Sequence, residues 1–138
     1  MSRAVAHLRA LGERVGRDRH GGAALEMALV FPFMSLMFLG AIEAGWLLWS
    51  ASTLDFAVEE AARCAAVDAT NCATAANVQG VAVGKAMGLN MAASDFTVAS
   101  SACGKRVSAT YVFSFLMPFN TNFTVPIPAV SCFPSPAS

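Results

Sequence analysis

No charged side chain occurs between Met27 and Ile42, a run of 16 residues. A surface helix of a soluble protein carries a polar face, so this absence excludes one here. Histidine is almost missing as well. His7 and His20 are the two in the chain, and both precede the apolar run. With no C-x-x-C spacing and no cluster of histidines, no metal-ligand set is visible. The same scarcity leaves no Ser-His-Asp arrangement, and no phosphate-binding glycine loop is present. The chain is therefore read as a non-enzyme without metal or cofactor. Cysteine is absent from the first 63 residues. The formal net charge is zero, and no nucleic-acid partner is expected.

What the chain does have is apolar mass in one place. Hydrophobic residues are 56% of the 138, well above a soluble domain. Gly22–Trp49, interrupted by Glu26 and Glu43, is 28 residues long. As a helix it measures about 42 Å, enough to cross a hydrocarbon core of about 30 Å. Residues 1–21 carry five arginines against Glu13 and Asp18, a net of +3, and residues 22–138 carry four basic against seven acidic side chains, a net of −3. Basic flanks stay cytoplasmic, which sends the C-terminal part across the membrane. The chain thus divides into a basic leader (1–21), a transmembrane helix (22–49) and an extracytoplasmic domain (50–138). Cys64, Cys72, Cys103 and Cys132 all follow the span. An even count in a small exported region suggests two disulfides, although four cysteines allow three pairings. The layout favours Cys64–Cys72, close in sequence, and Cys103–Cys132, at the ends of strands.

The periodicities predict an α+β fold. One long helix runs from about Gly22 to Val67. Its second half is amphipathic: Leu54, Ala57, Val58, Ala61, Ala62 and Ala65 follow the i, i+3, i+4 rhythm, while Asp55, Glu59 and Arg63 lie on another face. Pro32 removes a backbone hydrogen bond within the span, which membrane helices tolerate. Ala69–Ala76 reads as a loop, and Asn77–Leu89 as a second helix weakened by Gly80, Gly84 and Gly88. The period then changes to two. Phe96–Ser101 is a first strand. Val107, Ala109, Tyr111, Phe113, Phe115 and Met117 alternate along a second, Pro118–Asn122 turns the chain, and Phe123–Ala129 forms a third. Pro126 and Pro128 place that third strand at an edge. The expected sheet is antiparallel, small, and packed on the two helices. Ser135–Ser138 is expected to be a frayed tail.

The residues at the head of the span carry the functional signal. A charge within a membrane helix costs about 2.5–3.5 kcal/mol at mid-bilayer and less near the edge, so Glu26 needs compensation. Gly22 and Glu26 are i, i+4 and share one helix face. A basic leader, Gly21-Gly22-Ala23-Ala24-Leu25-Glu26 and an apolar helix together resemble the processing site of type IV prepilins and pseudopilins. The scissile bond would be Gly21–Gly22. Cleavage there would free an amino group at Gly22, able to pair with Glu26 of the same or a neighbouring subunit. Lateral assembly would then select processed chains in register.

The resemblance is closer to one branch. Arg17-Asp18-Arg19-His20-Gly21-Gly22-Ala23-Ala24-Leu25-Glu26-Met27-Ala28-Leu29-Val30-Phe31-Pro32, then Gly40-Ala41-Ile42-Glu43-Ala44-Gly45 and Ala57-Val58-Glu59-Glu60-Ala61-Ala62-Arg63, look like the TadE family, minor pseudopilins of tight-adherence (Flp-type) pilus systems. Met27 stands where that family usually carries Tyr or Phe. The resemblance implies a prepilin peptidase, other pilin and pseudopilin subunits, the inner-membrane assembly platform and the lipid bilayer as partners. It also implies a single-pass inner-membrane location with the C-terminal domain periplasmic, and a role in pilus biogenesis and surface attachment. Gly40 with Ala44 and Ala41 with Gly45 are small-x3-small pairs that allow close helix approach. Trp46 and Trp49 suit the far interface, where Glu43 would reach water or headgroups. The competing reading is an unprocessed, signal-anchored receptor or adhesin whose outer domain binds through exposed Phe119 or Phe133.

Overall fold

The computed structural model describes residues 21–116 and 123–134. The leader other than Gly21, the Pro118–Asn122 turn, Met117, Phe119 and the tail Ser135–Ser138 lie outside the described residues. Helix α1 is Gly21–Val67, α2 is Ala75–Lys85, a 3-10 turn covers Ala93–Asp95, and the strands are β1 (Phe96–Ser101), β2 (Gly104–Ser114) and β3 (Thr124–Phe133). This is the expected α+β arrangement of a long helix, a short helix and a three-stranded antiparallel sheet. The chain falls into two compact units, with the division between Ile42 and Glu43, inside α1.

In the first unit α1 runs unbroken through Pro32. The Ser35 hydroxyl donates to the Phe31 carbonyl at 2.7 Å, an i−4 bond beside the missing proline donor. Side chains from Gly22 to Ile42 are exposed, apart from half-buried Ser35.

The second unit holds the core. Leu54, Ala57, Val58, Ala61 and Ala62 of α1 cluster with Val78 and Ala82 of α2, with Ala86 and Leu89, and with Phe96, Val107, Ala109 and Ala129 of the sheet. The α1 contribution is the stripe its periodicity predicts. Its alanines carry little side-chain bulk. Phe96, the largest fully buried side chain, lies in the same cluster. On β2 and β3 burial alternates, with Val107, Ala109, Phe113 and Ala129 inward. Ser50 is the buried polar residue of α1, and its hydroxyl donates back to the Trp46 carbonyl at 2.8 Å.

The second helix differs from its expected range. It begins two residues earlier, because the Thr74 hydroxyl accepts the Asn77 N–H at 3.3 Å as an N-cap. It ends four residues earlier, at Lys85, and the chain turns through Gly88 at φ +83°. Ala86 and Leu89 stay buried beyond the helix end. A Cβ at Gly88 would lie 2.5 Å from the Trp49 ring. Gly88→Ala therefore combines a left-handed backbone with a collision, and is expected to cost about 2–4 kcal/mol. Gly84, with open space around it, is the control. Gly84→Ala should be neutral or stabilising by up to about 1 kcal/mol. Urea unfolding of the two variants checks both values.

Strands pair β1-β2-β3, all antiparallel. Ser101 pairs with Gly104 across a two-residue turn, and Gly104 takes φ +118° there. This turn starts β2 three residues before the alternation predicted it. Strand β3 runs on to Phe133, paired with Lys105, rather than stopping at Ala129. It is an edge strand. The Phe115 N–H donates to the Phe123 carbonyl at 3.0 Å, which sets the parity of the ladder. Val125, Ile127 and Ala129 face β2, while Pro126 and Pro128 face away, where no donor is needed.

Two disulfides close the second unit. Cys64–Cys72 spans 8 residues at a Cα–Cα distance of 5.8 Å, and Cys103–Cys132 spans 29 residues at 6.2 Å. The loop before Cys72 is shaped by Asp68. One carboxylate oxygen accepts the N–H groups of Asn71 (2.8 Å) and Thr70 (3.1 Å), and the other accepts the Asn71 amide at 2.8 Å. The Asn71 backbone bond, then its side-chain bond, hold the Asp68 carboxyl below its ordinary value. The Cys72 N–H in turn donates to the Asp68 carbonyl at 3.0 Å, setting Cys72 opposite Cys64.

Candidate processing and assembly site

Gly21 and Gly22 open helix α1, and Glu26 follows one turn later. The helical rise puts Gly22 and Glu26 about 6 Å apart along the axis on one face. Gly22 has nothing within 4 Å of a Cβ built on it, and Glu26 is exposed. Among the described residues Glu26 has no hydrogen-bond or ion-pair partner. Glu26 lies past the first turn of α1, beyond the four unpaired N–H groups of the helix end, so the charge is not compensated from there. The described part of the site is thus an exposed carboxylate one turn after Gly22.

Gly40, Ala41, Ala44 and Gly45 are all exposed, and Gly40 and Gly45 have open space where a Cβ would sit. No part of the chain packs on these small residues among those described. Side chains projecting around them are Leu36, Met37, Phe38, Leu39 and Ile42, all exposed. This helix is long and apolar enough to cross a membrane, and none of its apolar window is buried.

Glu43 has a partner that sequence reasoning missed. It is half-buried, and its Oε1 accepts the Leu116 N–H at 3.3 Å. The two are 73 residues apart. The available signal was a carboxylate ending an apolar run beside two tryptophans, which says that a partner is needed but not which one. Phe133, offered by the adhesin reading as an exposed contact, is instead half-buried and packs against the core. Phe119 lies outside the described residues.

On the outer face of the sheet, a depression of about 350 Å³ is lined by Asp95, Thr97, Ser108, Ala109, Thr110, Pro128 and Val130. Asp95 is its one titratable group, and the Ala92 N–H already donates to that carboxylate at 2.9 Å. Nothing there pairs an acid with a base.

Residues 21–63 match the family model of TadE-like proteins. No curated protein and no solved structure matches the chain. The TadE-like segment starts at Gly21, takes in Glu26, Gly40, Ala41, Glu43, Ala44 and Gly45, and stops one residue before Cys64. It thus covers the apolar half of α1 and most of the half that enters the core. The sheet and both disulfides lie outside it.

Proposed function

We propose that this chain is a minor pseudopilin of a tight-adherence pilus system, a structural and assembly subunit rather than a catalyst. The observation that carries the reading is the TadE-like match over a helix whose apolar half is unpartnered and presents Glu26 one turn after Gly22. One long apolar helix fits a single-pass membrane protein of such a system. The arginine-rich leader and the two disulfides support a cytoplasmic N-terminus and an outer second unit.

In this reading a prepilin peptidase cuts Gly21–Gly22. The released chain keeps Glu26 in the bilayer edge until the amine of a processed subunit docks beside it. Gly40, Ala41, Ala44 and Gly45 then let a neighbouring pilin helix approach closely. Assembly on the inner-membrane platform takes the subunit into or next to the pilus, and surface attachment follows from the pilus. Deleting the coding sequence tests the role. Cells without the chain should lose surface pili and attach poorly, and the wild-type chain should restore both. Normal piliation in the deletion strain would overturn the proposal.

A further inference from the structure

We propose that the outer unit seats one end in the lipid headgroup layer, with Met87, Leu116 and Phe123 entering the membrane interface beside Trp46 and Trp49. This rests on the single-pass reading above and deepens it, because it names lipid as a partner of the folded unit as well as of the helix. Two contacts bring distant parts of the chain to the level of residues 43–49. The Leu116 N–H is held by Glu43 at 3.3 Å. The Gly88 turn lies against the Trp49 ring, so closely that a Cβ there would collide with it.

Residues 43–49 close the apolar run and rise about 9 Å along the helix. The headgroup region on each side of a bilayer is about 5–8 Å deep, so the two dimensions match. Trp46 and Trp49, with ring centroids 5.9 Å apart, are the side chains that favour that depth.

The residues brought to this level are apolar and uncovered. Leu116 is 88% exposed, Met87 72% and Leu48 68%, and Phe123 is exposed as well. Phe123 is fixed in place by Phe115, whose ring centroid lies 5.3 Å away and whose N–H bonds its carbonyl. None of these side chains is charged, and the one nearby carboxylate, Glu43, is half-buried and hydrogen-bonded. The opposite end of the same hairpin is polar: Ser100, Ser101, Lys105 and Arg106 stand there, and the Lys105 ammonium donates to the Ser100 hydroxyl at 3.1 Å. Strand β2 has 11 residues, so about 35 Å separates the two ends. A protein partner would be free to bind any face. Lipid selects the uncharged end that adjoins the tryptophans, and among the described residues Met87, Leu116 and Phe123 are exposed there.

The test is amide NMR of the full chain in lipid nanodiscs carrying spin-labelled lipid. With the label on the headgroup, the amide signals of Met87, Gly88, Leu116 and Phe123 should be lost, and those of Ala102–Arg106 retained. Leu116→Asp, a change at an exposed side chain, should restore the signals of residues 115, 116 and 123 in the same nanodiscs. Retained signals at Met87, Leu116 and Phe123, while an acyl-chain label erases those of Leu36–Gly40, would overturn the seating and leave the membrane span standing. If the acyl-chain label spares Leu36–Gly40 as well, the span itself fails and the seating with it. Loss caused by a spin-labelled second copy of the chain but not by labelled lipid would assign the surface to protein contact and overturn the proposal.

Discussion

Glu26→Ala is expected to leave the chain in the membrane and to cut its recovery with partner pilin subunits at least about tenfold, since 1.4 kcal/mol is a factor of ten. The two effects have opposite signs. Removing a carboxylate from an apolar helix favours insertion, by up to about 2.5–3.5 kcal/mol at mid-bilayer and less near the edge. Removing it from a docked pair leaves an amine without its counter-charge, and loss of one partner of a buried pair costs about 3–5 kcal/mol. Glu26 is exposed along α1, so the substitution removes no buried contact among the described residues. Crosslinking followed by affinity recovery of partner subunits measures assembly, and membrane fractionation measures insertion. Glu26→Gln keeps the shape and loses the charge, and should fall with Ala rather than with wild type. Unchanged recovery of partners for both variants would sink the pairing.

Replacing Cys103 and Cys132 together by serine is expected to destabilise the outer unit more than the same change at Cys64 and Cys72. The bond closes 29 residues, for which chain entropy gives about 3.6 kcal/mol, against about 2.5 for the 8 residues closed by Cys64–Cys72. It also joins the β1–β2 turn to the far end of edge strand β3, whose outer side is unpaired. Total stability of a small domain is about 5–15 kcal/mol, so this one bond is a large share of it. At about 4–8 °C per kcal/mol the melting temperature should drop by about 15–30 °C. Thermal circular dichroism of the full chain in nanodiscs reads the drop. A smaller drop than for the Cys64→Ser/Cys72→Ser pair would contradict the ranking.

What the sequence made legible was what repeats locally. The apolar run and the Leu54–Ala65 stripe gave α1 to within one residue, because membrane hydropathy and helical period both act over short distances. Alternation gave the identity and faces of β2 and β3 but not their ends. Those depend on the Ser101–Gly104 turn and on how far β3 finds a partner, which are pairing facts rather than periodicities. The end of α2 was misplaced because burial of Ala86 and Leu89 continues the apolar pattern after the backbone has left the helix. The cysteine pairs that the layout favoured are the ones the structure joins.

At the site the division is similar. The Gly22–Glu26 spacing is one turn of helix and could be read directly. The Glu43–Leu116 contact spans 73 residues and needed the fold. Gly40, Ala41, Ala44 and Gly45 stay uncovered among the described residues. The TadE-like match ends at residue 63, and the outer sheet rests on its own pattern and on the structure.

The central claim is that Glu26 acts with an amine created by cleavage. N-terminal sequencing of the chain, purified from cells with and without the prepilin peptidase, tests it most directly. The account predicts Gly22 as the first residue when the peptidase is present, and an uncut Gly21–Gly22 bond when it is absent. An intact arginine-rich leader on the chain from peptidase-bearing cells would contradict it.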